Sequence, residues 1–440
     1  MRFFGREKEL ALLRRIRAES LKSARFTVLT GRRRVGKTEL LLKAFADSPC
    51  LYFFIARRSE AELCSNFAAE IEEKLGIPIP GTFSHVSDLL SFIIKTAKSH
   101  PITLVIDEFQ EMARIDPGVF STLQRDWDLN KGEAKINLVV SGSVNRLMTR
   151  IFRNSHEPLY GRQTGFIKLA PFSIAEIKTI LRETSPSATN EDLLALYGIT
   201  GGIAKYVELF MDAHATTLDS MLDVVFREDS TFLDEGRACL GDEFGKDYGN
   251  YFSILSSIAR GRNSRSEIET AIGGGEVGGY LKNLIADYGL VARKQPLFDK
   301  PGTKNLHYAI DDNFFLFWFR FIARYSYMLE VGAHQRLKEL VKRDYDVFSG
   351  FMLERYFRQT FAERGTFTQI GSWWDRRGEN EIDLIAEDEL EKKAVFAEVK
   401  RNPRRISPRQ LQEKAKAFLK ATGAFKGYSI AYETLSVNEM

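Results

Sequence analysis

Phe26-Thr27-Val28-Leu29-Thr30 runs directly into Gly31-Arg32-Arg33-Arg34-Val35-Gly36-Lys37-Thr38, and a stretch with helical apolar spacing follows from Lys37 to about Asp47. A short apolar strand, a turn that fits G-x-x-x-x-G-K-[ST] in full and a helix opening on it make a phosphate-binding loop. The glycines let backbone N–H groups turn inward around phosphate oxygens. The helix points its positive end at the same anion. In such a loop Lys37 reaches the β- and γ-phosphates and Thr38 offers its hydroxyl to Mg²⁺. The expected ligands are therefore ATP and Mg²⁺, held by Gly31, Arg32, Arg33, Arg34, Val35, Gly36, Lys37 and Thr38.

The sequence around the loop supplies the rest of such a site. Residues 6–24 carry Leu10, Leu13 and Ile16 on one helical face, 51–55 reads as a strand, and Leu63, Phe67, Ile71 and Leu75 mark another helix. Ile102-Thr103-Leu104-Val105-Ile106 is an apolar strand ending in Asp107 and Glu108, and residues 136–140 form a strand ending in Ser141-Gly142-Ser143. Strands alternating with helices predict a parallel α/β sheet. At the end of its strand, Asp107 is placed to hold the Mg²⁺ shell, and Glu108 to orient or deprotonate the attacking water. Ser141 and Ser143 are placed to touch the γ-phosphate or that water, or are simple turn serines. Arg162, in Leu159-Tyr160-Gly161-Arg162, either completes a neighbouring subunit's site as an arginine finger, which requires a homo-oligomer, or is structural.

Composition bounds the remaining classes. A chain of 440 residues exceeds one core, so two or three domains are expected. With 44% hydrophobic and 28% charged residues it has the make-up of a soluble globular protein. The net charge of +4 permits nucleic-acid binding without arguing for it. Cys50, Cys64 and Cys239 are scattered, in no metal-ligand spacing, which suits a reduced cytoplasm. Charges, not an apolar signal region, follow Met1-Arg2-Phe3-Phe4-Gly5. The run Phe314-Phe315-Leu316-Phe317-Trp318-Phe319 stops at Arg320, far short of the ~20 apolar residues of a membrane span, and reads as core. No membrane partner is expected.

Taken together, Phe4-Gly5-Arg6-Glu7, the 31–38 loop, Ile106-Asp107-Glu108-Phe109-Gln110, Ser141-Gly142-Ser143, Tyr160-Gly161-Arg162 and Leu169-Ala170-Pro171-Phe172 resemble the AAA+/STAND-type ATPases of the archaeal ATPase family. The resemblance implies that Gly5 and Arg6 lie near the adenine. It also implies a helical lid, with Thr200-Gly201-Gly202-Ile203-Ala204-Lys205-Tyr206 in its second-sensor region. Ala204 departs from the proline usual in the family. The domains expected are a P-loop core over 1–172, a helical lid over 173–245, a winged helix-turn-helix over 246–312 and a nuclease-like domain over 313–440.

Residues 248–312 read as three helices and a hairpin. Residues 264–272 form a short helix, and Tyr280, Leu281, Leu284 and Ile285 form an apolar stripe ending at Gly289. Leu290-Val291-Ala292-Arg293-Lys294 and His307-Tyr308-Ala309-Ile310 alternate like paired strands. In a DNA-bound winged helix the segment near 277–288 enters the major groove, and Lys282, Arg293 and Lys294 meet backbone or base. The alternative is a module that only packs domains together, since Asp287 opposes Lys282.

The last third holds a second constellation. Residues 313–362 read as helical and aromatic-rich, 366–400 as strands, and a basic helix as the end of the chain. Ile382-Asp383-Leu384-Ile385-Ala386 and Val395-Phe396-Ala397-Glu398-Val399-Lys400 alternate on either side of the polar turn 387–393, which predicts an antiparallel pair. Asp383 then falls opposite Glu398, and Glu398 shares a face with Lys400. Such close carboxylates are costly unless a cation joins them. Mg²⁺ or Mn²⁺ on Asp383, Glu398 and the Val399 carbonyl would resolve this, with Lys400 positioning water or stabilising phosphate charge. This set resembles the PD-(D/E)xK nuclease core of the restriction-endonuclease-like fold, and Glu354 matches that fold's additional acid. Residues 400–426 add nine basic residues against the single acid Glu413. That run is a solvated helix face or a surface for a phosphate backbone.

The expected function is an ATP-hydrolysing protein whose nucleotide state controls a metal-dependent nuclease acting on nucleic acid, DNA first. Two other readings stand beside it. One is an ATP switch whose nuclease fold is inactive and only binds; the other is a DNA-binding regulator working through the winged helix.

Overall fold

The computed structural model describes residues 2–143, 145–299, 305–375 and 379–440, with the side chains of Asn145 and Asp242 left aside. The chain divides into two compact units, Arg2–Pro171 and Phe172–Met440. No helix among the described residues is long and apolar enough to cross a membrane.

In the first unit α1 (Glu7–Ser20) leads into β1 (Arg25–Gly31), α2 (Lys37–Ala44), β2 (Leu51–Phe54), α3 (Glu60–Leu75) and α4 (Val86–Thr96). Then come β3 (Ile102–Asp107), α5 (Met112–Ile115), α6 (Val119–Asn130), β4 (Ile136–Gly142), α7 (Asn145–Arg153) and β5 (Gly165–Leu169). The strands form one parallel sheet in the order β2-β3-β4-β1-β5. Both faces are covered, so the inner strands β3 and β4 are buried along their whole length rather than on alternate residues. Val28, Leu104, Ile106, Leu138 and Val140 join the core on the side of α3, α4 and α6. Leu29, Val105 and Val139 join the opposite core with Leu13, Leu40 and Leu41 of α1 and α2.

The order of strands is what positions the chemistry. β4 lies between β1 and β3, so Ser141 near its end and Ser143 just beyond it stand between the loop after β1 and the acids after β3. Four helices, α4, α5, α6 and α7, and strand β5 go beyond the sequence reading. β5 is short and carries an exposed Lys168, which hides its apolar half.

The second unit begins with α8 (Ile174–Thr184), α9 (Asn190–Thr200), α10 (Ala204–Asp212), α11 (Leu218–Val225) and α12 (Thr231–Phe244). Then α13 (Tyr248–Ala259), α14 (Arg265–Ala271) and α15 (Gly278–Ala286) precede the antiparallel pair β6 (Val291–Lys294) and β7 (His307–Ile310). Ser264 caps α14 in a capping box with Glu267, which is why that helix starts there. The aromatic run lies in α16 (Asn313–Phe317) and the π turn Trp318–Ile322, where Phe314, Phe317, Trp318 and Phe319 are fully buried, as expected of core.

After α17 (Ser326–Glu330), the long α18 (His334–Glu363) leads to β8 (Gln369–Trp374), β9 (Glu381–Asp388) and β10 (Lys393–Val399). The chain does not close on the basic helix. α19 (Pro408–Thr422) crosses over to β11 (Ser429–Leu435), which pairs parallel with β10 and gives the order β11-β10-β9-β8. β11 is mostly exposed and polar on this edge, so its apolar alternation is faint in the sequence. Leu411, Ala415 and Phe418 of α19 bury Ile382, Ile385 and Phe396 of the sheet.

Candidate functional site

Gly31 ends β1 where a Cβ would lie 2.7 Å from the Leu169 carbonyl oxygen, so only glycine lets the loop leave the sheet there. Arg34 (φ 67°) and Gly36 (φ 96°) both take left-handed backbone, the sharp turning that aims N–H groups inward. Lys37 opens α2 and is buried. Its Nζ donates to the carbonyls of Gly31 (3.0 Å) and Arg32 (3.2 Å), folding the ammonium over the loop. Arg33 and Arg34 are exposed, and Val35 is buried. Arg6, also left-handed (φ 68°) and buried, donates from Nη2 to the Val35 carbonyl at 3.3 Å. The 5–6 turn is thereby tied to the loop.

Asp107 is the hub. Its Oδ2 accepts from Thr38 Oγ1 at 2.9 Å and from the Tyr52 hydroxyl. Its Oδ1 accepts from Ser141 Oγ and, at 3.0 Å, from the Glu108 N–H. Glu108 has left-handed backbone (φ 55°), a strained state that marks functional turns. Ser143 Oγ reaches both its carboxylate oxygens (3.0 and 3.1 Å), and Gln110 Nε2 donates to Oε2. Gly142 makes this possible, since a Cβ there would lie 2.5 Å from Gln110 Oε1 and Met148 Sδ. Burial pushes the Tyr52 phenol well above its ordinary value, and its bond to Asp107 adds to the rise. The sequence reading gave Gln110 no role although it ends the Ile106–Gln110 motif, and it missed Tyr52, which belongs to no motif and is brought in by the β2–β3 register, Tyr52 beside Val105. A hydroxyl and a carboxylate in direct contact, Thr38 and Asp107, are a donor set suited to Mg²⁺ and its water shell.

Arg162 stands elsewhere. It donates to Asp128 Oδ2 (3.3 and 3.4 Å) and to the Tyr160 carbonyl (2.8 Å). It lines a cavity of about 470 Å³ with Lys131, Gln163 and Thr164. Thr164 bonds Phe26, at the start of β1, whereas the loop leaves its end. Arg162 is therefore remote from the Lys37 of its own chain.

In the second unit, β9 and β10 pair with Leu384 beside Ala397, and the next step of that register sets Asp383 beside Glu398. Both acids are buried. Asp383 Oδ2 accepts from the Val399 N–H (2.8 Å) and from Lys400 Nζ (2.7 Å). Lys400 also stands 3.7 Å from Glu398 Oε1, which takes Lys414 of α19 at 3.2 Å. Burial works against the Lys400 ammonium, but Asp383 and Glu398 outweigh it and hold its pKa above the ordinary lysine value. Glu398 Oε2 is buried without a hydrogen-bond partner among the described residues, an oxygen that a cation would satisfy. Among the described residues no three Asp, Glu, His or Cys side chains are grouped to hold a metal.

Glu354, on α18, stands close enough to Asp383 and Lys400 for the charges to act on one another. Burial, then the charges of Asp383 and Glu381, push its pKa up to about 7. Next to it is a residue expected on DNA. Lys294 is half-buried, and burial, with Arg358 and Arg355, lowers its pKa to about 8, while Glu354 and Asp311 act the other way. Lys294 thus turns inward, and so do Leu297 and Phe298, which follow β6. Leu297 N–H donates to the Ser372 carbonyl (2.9 Å) over Gly371, whose missing side chain leaves Leu297 its room. Phe298 packs edge-on against Phe418 and Phe425, and His307 stacks on Trp374 at 5.0 Å. The physical reason is apolar: Leu297 and the part of Phe298 that packs on Phe418 and Phe425 are drawn out of water onto the small sheet. Of the three basic residues expected on DNA, only Lys282 and Arg293 are exposed.

A family model described as an ATPase domain predominantly from Archaea matches residues 3–210. A second model, of archaeal and bacterial proteins of unknown function, matches residues 318–412. An uncharacterised protein of Methanocaldococcus jannaschii is 31% identical over 416 residues, covering 90% of this chain and 87% of its own. Among solved structures, the Walker-type ATPase of Pyrococcus abyssi is similar with a TM-score of 0.52 and 20% identity, over 72% of this chain and 96% of its own. The ORC2 protein of Aeropyrum pernix, in ADPNP–ADP complexes, gives a TM-score of 0.49 and 15% identity, over 74% and 94%.

Proposed function

Since this chain belongs to the family of ATPases found predominantly in Archaea, we propose that it binds and hydrolyses ATP in its first unit and uses that cycle to govern a phosphodiester-cleaving site in its second. In the first unit Lys37 holds the β- and γ-phosphates, Thr38 and Asp107 hold Mg²⁺, and Glu108 takes the proton of the attacking water. Ser143 and Gln110 keep the Glu108 carboxylate still until then. Arg162 serves a neighbouring copy or its own Asp128 pairing, and its remoteness from Lys37 favours no role within one chain.

The observation that carries the nuclease reading is the contact of Lys400 with Asp383 beside the unsatisfied Glu398 Oε2. Asp383 and Glu398 would hold one divalent cation, which supplies Lewis acidity toward a phosphodiester oxygen when bound. Lys400 then stabilises the negative charge that builds on phosphate, and the water oxygen bonds to phosphorus as the P–O bond to the leaving sugar oxygen breaks. The proton lost by the water is returned to that oxygen.

Nucleic acid is the partner this site and its surroundings fit. Arg404, Arg405, Lys416, Lys420 and Lys426 are exposed, and no acid pairs with them among the described residues. Such cations neutralise backbone phosphates and release counterions, giving salt-dependent binding. Arg293 and Lys282 of the helix–hairpin segment add two more, so contact of that segment with DNA rests on them and not on Lys294.

A second reading has its own observation. Each acid already has a lysine, Lys400 on Asp383 and Lys414 on Glu398, as in a fold that binds nucleic acid without cutting it. The test incubates the chain with single- and double-stranded DNA and RNA, Mg²⁺ or Mn²⁺, with and without ATP, alongside Asp383→Ala and Lys37→Ala. Cleavage lost in Asp383→Ala and altered in Lys37→Ala is the expected result. Binding without cleavage under every condition would leave the switch reading in place of the nuclease.

A further inference from the structure

Strand β2 carries a side chain into the nucleotide site that no motif contains. Tyr52 is half-buried, and its hydroxyl donates to Asp107 Oδ2, the oxygen that also takes Thr38 Oγ1 at 2.9 Å. Its backbone N–H is fixed in turn by Glu70 Oε1 at 2.7 Å, and Glu70 is held by Lys74 at 2.7 Å. The phenol is therefore anchored from behind by α3 and aimed at a single carboxylate oxygen.

The partition of bonds on Asp107 has a consequence. A carboxylate offers about four acceptor positions, and Asp107 fills four: Ser141 Oγ and the Glu108 N–H on Oδ1, Thr38 Oγ1 and the Tyr52 hydroxyl on Oδ2. The Oδ1 pair comes from β4 and from the next residue of the chain, so it holds the carboxylate to the sheet. The Oδ2 pair faces the phosphate loop through Thr38, which is itself suited to Mg²⁺. Any cation shell that forms at Oδ2 must meet Tyr52.

We propose that Tyr52 is a positioning residue of the nucleotide site, holding Asp107 so that Oδ2 is turned toward the Mg²⁺ shell and accepting or donating a hydrogen bond within that shell once Mg²⁺–nucleotide is bound. The inference rests on ATP binding at the 31–38 loop. It gives Tyr52 a role in how tightly Mg²⁺ couples to nucleotide, separate from the grip on the nucleotide itself.

The experiment measures binding of a fluorescent ATP analogue in EDTA and across a Mg²⁺ titration, for wild type, Tyr52→Phe and Tyr52→Leu, with melting temperatures in parallel. Tyr52→Phe keeps the ring and removes only the hydroxyl. The expected result is affinity in EDTA close to wild type, with the Mg²⁺ concentration for half-maximal binding raised about 3- to 10-fold in both variants, the scale of one lost hydrogen bond to a charged group shared among several. ATP hydrolysis should need correspondingly more Mg²⁺. A Tyr52→Phe protein with the wild-type Mg²⁺ titration, whether or not Tyr52→Leu is impaired, would make Tyr52 packing alone and overturn the proposal. A lowered Mg²⁺ requirement would overturn it too, making Tyr52 a competitor of the cation. If wild type binds no analogue at all, it is the nucleotide reading that fails.

Discussion

Lys400 donates to Asp383 Oδ2 at 2.7 Å, so a positive charge just past the end of the neighbouring strand β10 already rests on that carboxylate. A lysine and a divalent cation compete for the same oxygen. Lys400→Ala should therefore tighten Mn²⁺ binding while slowing nucleic-acid cleavage by about 100-fold or more, the scale of losing one charge-stabilising group. Mn²⁺ titration followed by electron paramagnetic resonance, beside a plasmid-nicking assay, checks both halves. Weaker Mn²⁺ binding in the variant would mean that Lys400 orients Asp383 for the metal instead of opposing it.

Glu354 gives a pH test of the same site. Burial and the Asp383 charge raise its pKa from about 4.5 to about 7. A raised carboxyl pKa favours the fold while the group is protonated. That contribution is complete below about 4.5 and is lost as pH rises through about 7. Glu354→Gln, which mimics the protonated form, should leave the melting temperature nearly unchanged at pH 5. At pH 8 it should stabilise by on the order of 2–3 kcal/mol, or several degrees. Equal shifts at both pH values would assign the effect to packing.

Much of the nucleotide site was legible because its parts are local. Gly31, Lys37 and Thr38 lie within one turn of chain, and Asp107 and Glu108 follow an apolar strand whose end is plain in the sequence. What could not be read was which strands are neighbours. The insertion of β4 between β1 and β3 sets Ser141 on Asp107 and Ser143 on Glu108, and the β2–β3 register brings Tyr52 there. No periodicity encodes that order. In the second unit the 381–399 hairpin was legible from alternation around a polar turn, so Asp383, Glu398 and Lys400 were found together. Lys294 was misplaced because its side chain follows the docking of Leu297 and Phe298 on a sheet that is distant in sequence. β11 was missed because an exposed edge strand has little apolar contrast.

Lys37 tests the phosphate loop directly. Its ammonium now rests on the Gly31 and Arg32 carbonyls, poised to exchange them for phosphate oxygens. Lys37→Ala removes a charged donor to phosphate, a loss of about 1.5–3 kcal/mol, so ATP affinity should fall roughly 10- to 150-fold. Isothermal titration with a slowly hydrolysed analogue measures this. An affinity within twofold of wild type would place the phosphates away from the loop.

Gly236 supplies a stability test in which intrinsic propensity and packing point in opposite directions. It lies inside α12, where alanine would ordinarily favour the helix by about 1 kcal/mol. A Cβ there would overlap the indole ring of Trp318, which is fully buried and held by its Nε1 bond to the Leu233 carbonyl at 3.1 Å. The ring also meets Phe252 and Phe319 edge-on, so its retreat would disturb two further aromatic contacts. Packing should win, because close-packed interiors do not absorb an extra methyl without moving backbone. Gly236→Ala is expected to destabilise by about 1–3 kcal/mol, measured as a lower midpoint in urea with an unchanged slope. Gly241→Ala is the control: it lies in the same helix with open space around its Cβ position. It should hold or raise the midpoint, and a matching loss there would show that the α12 backbone, not Trp318, sets the cost.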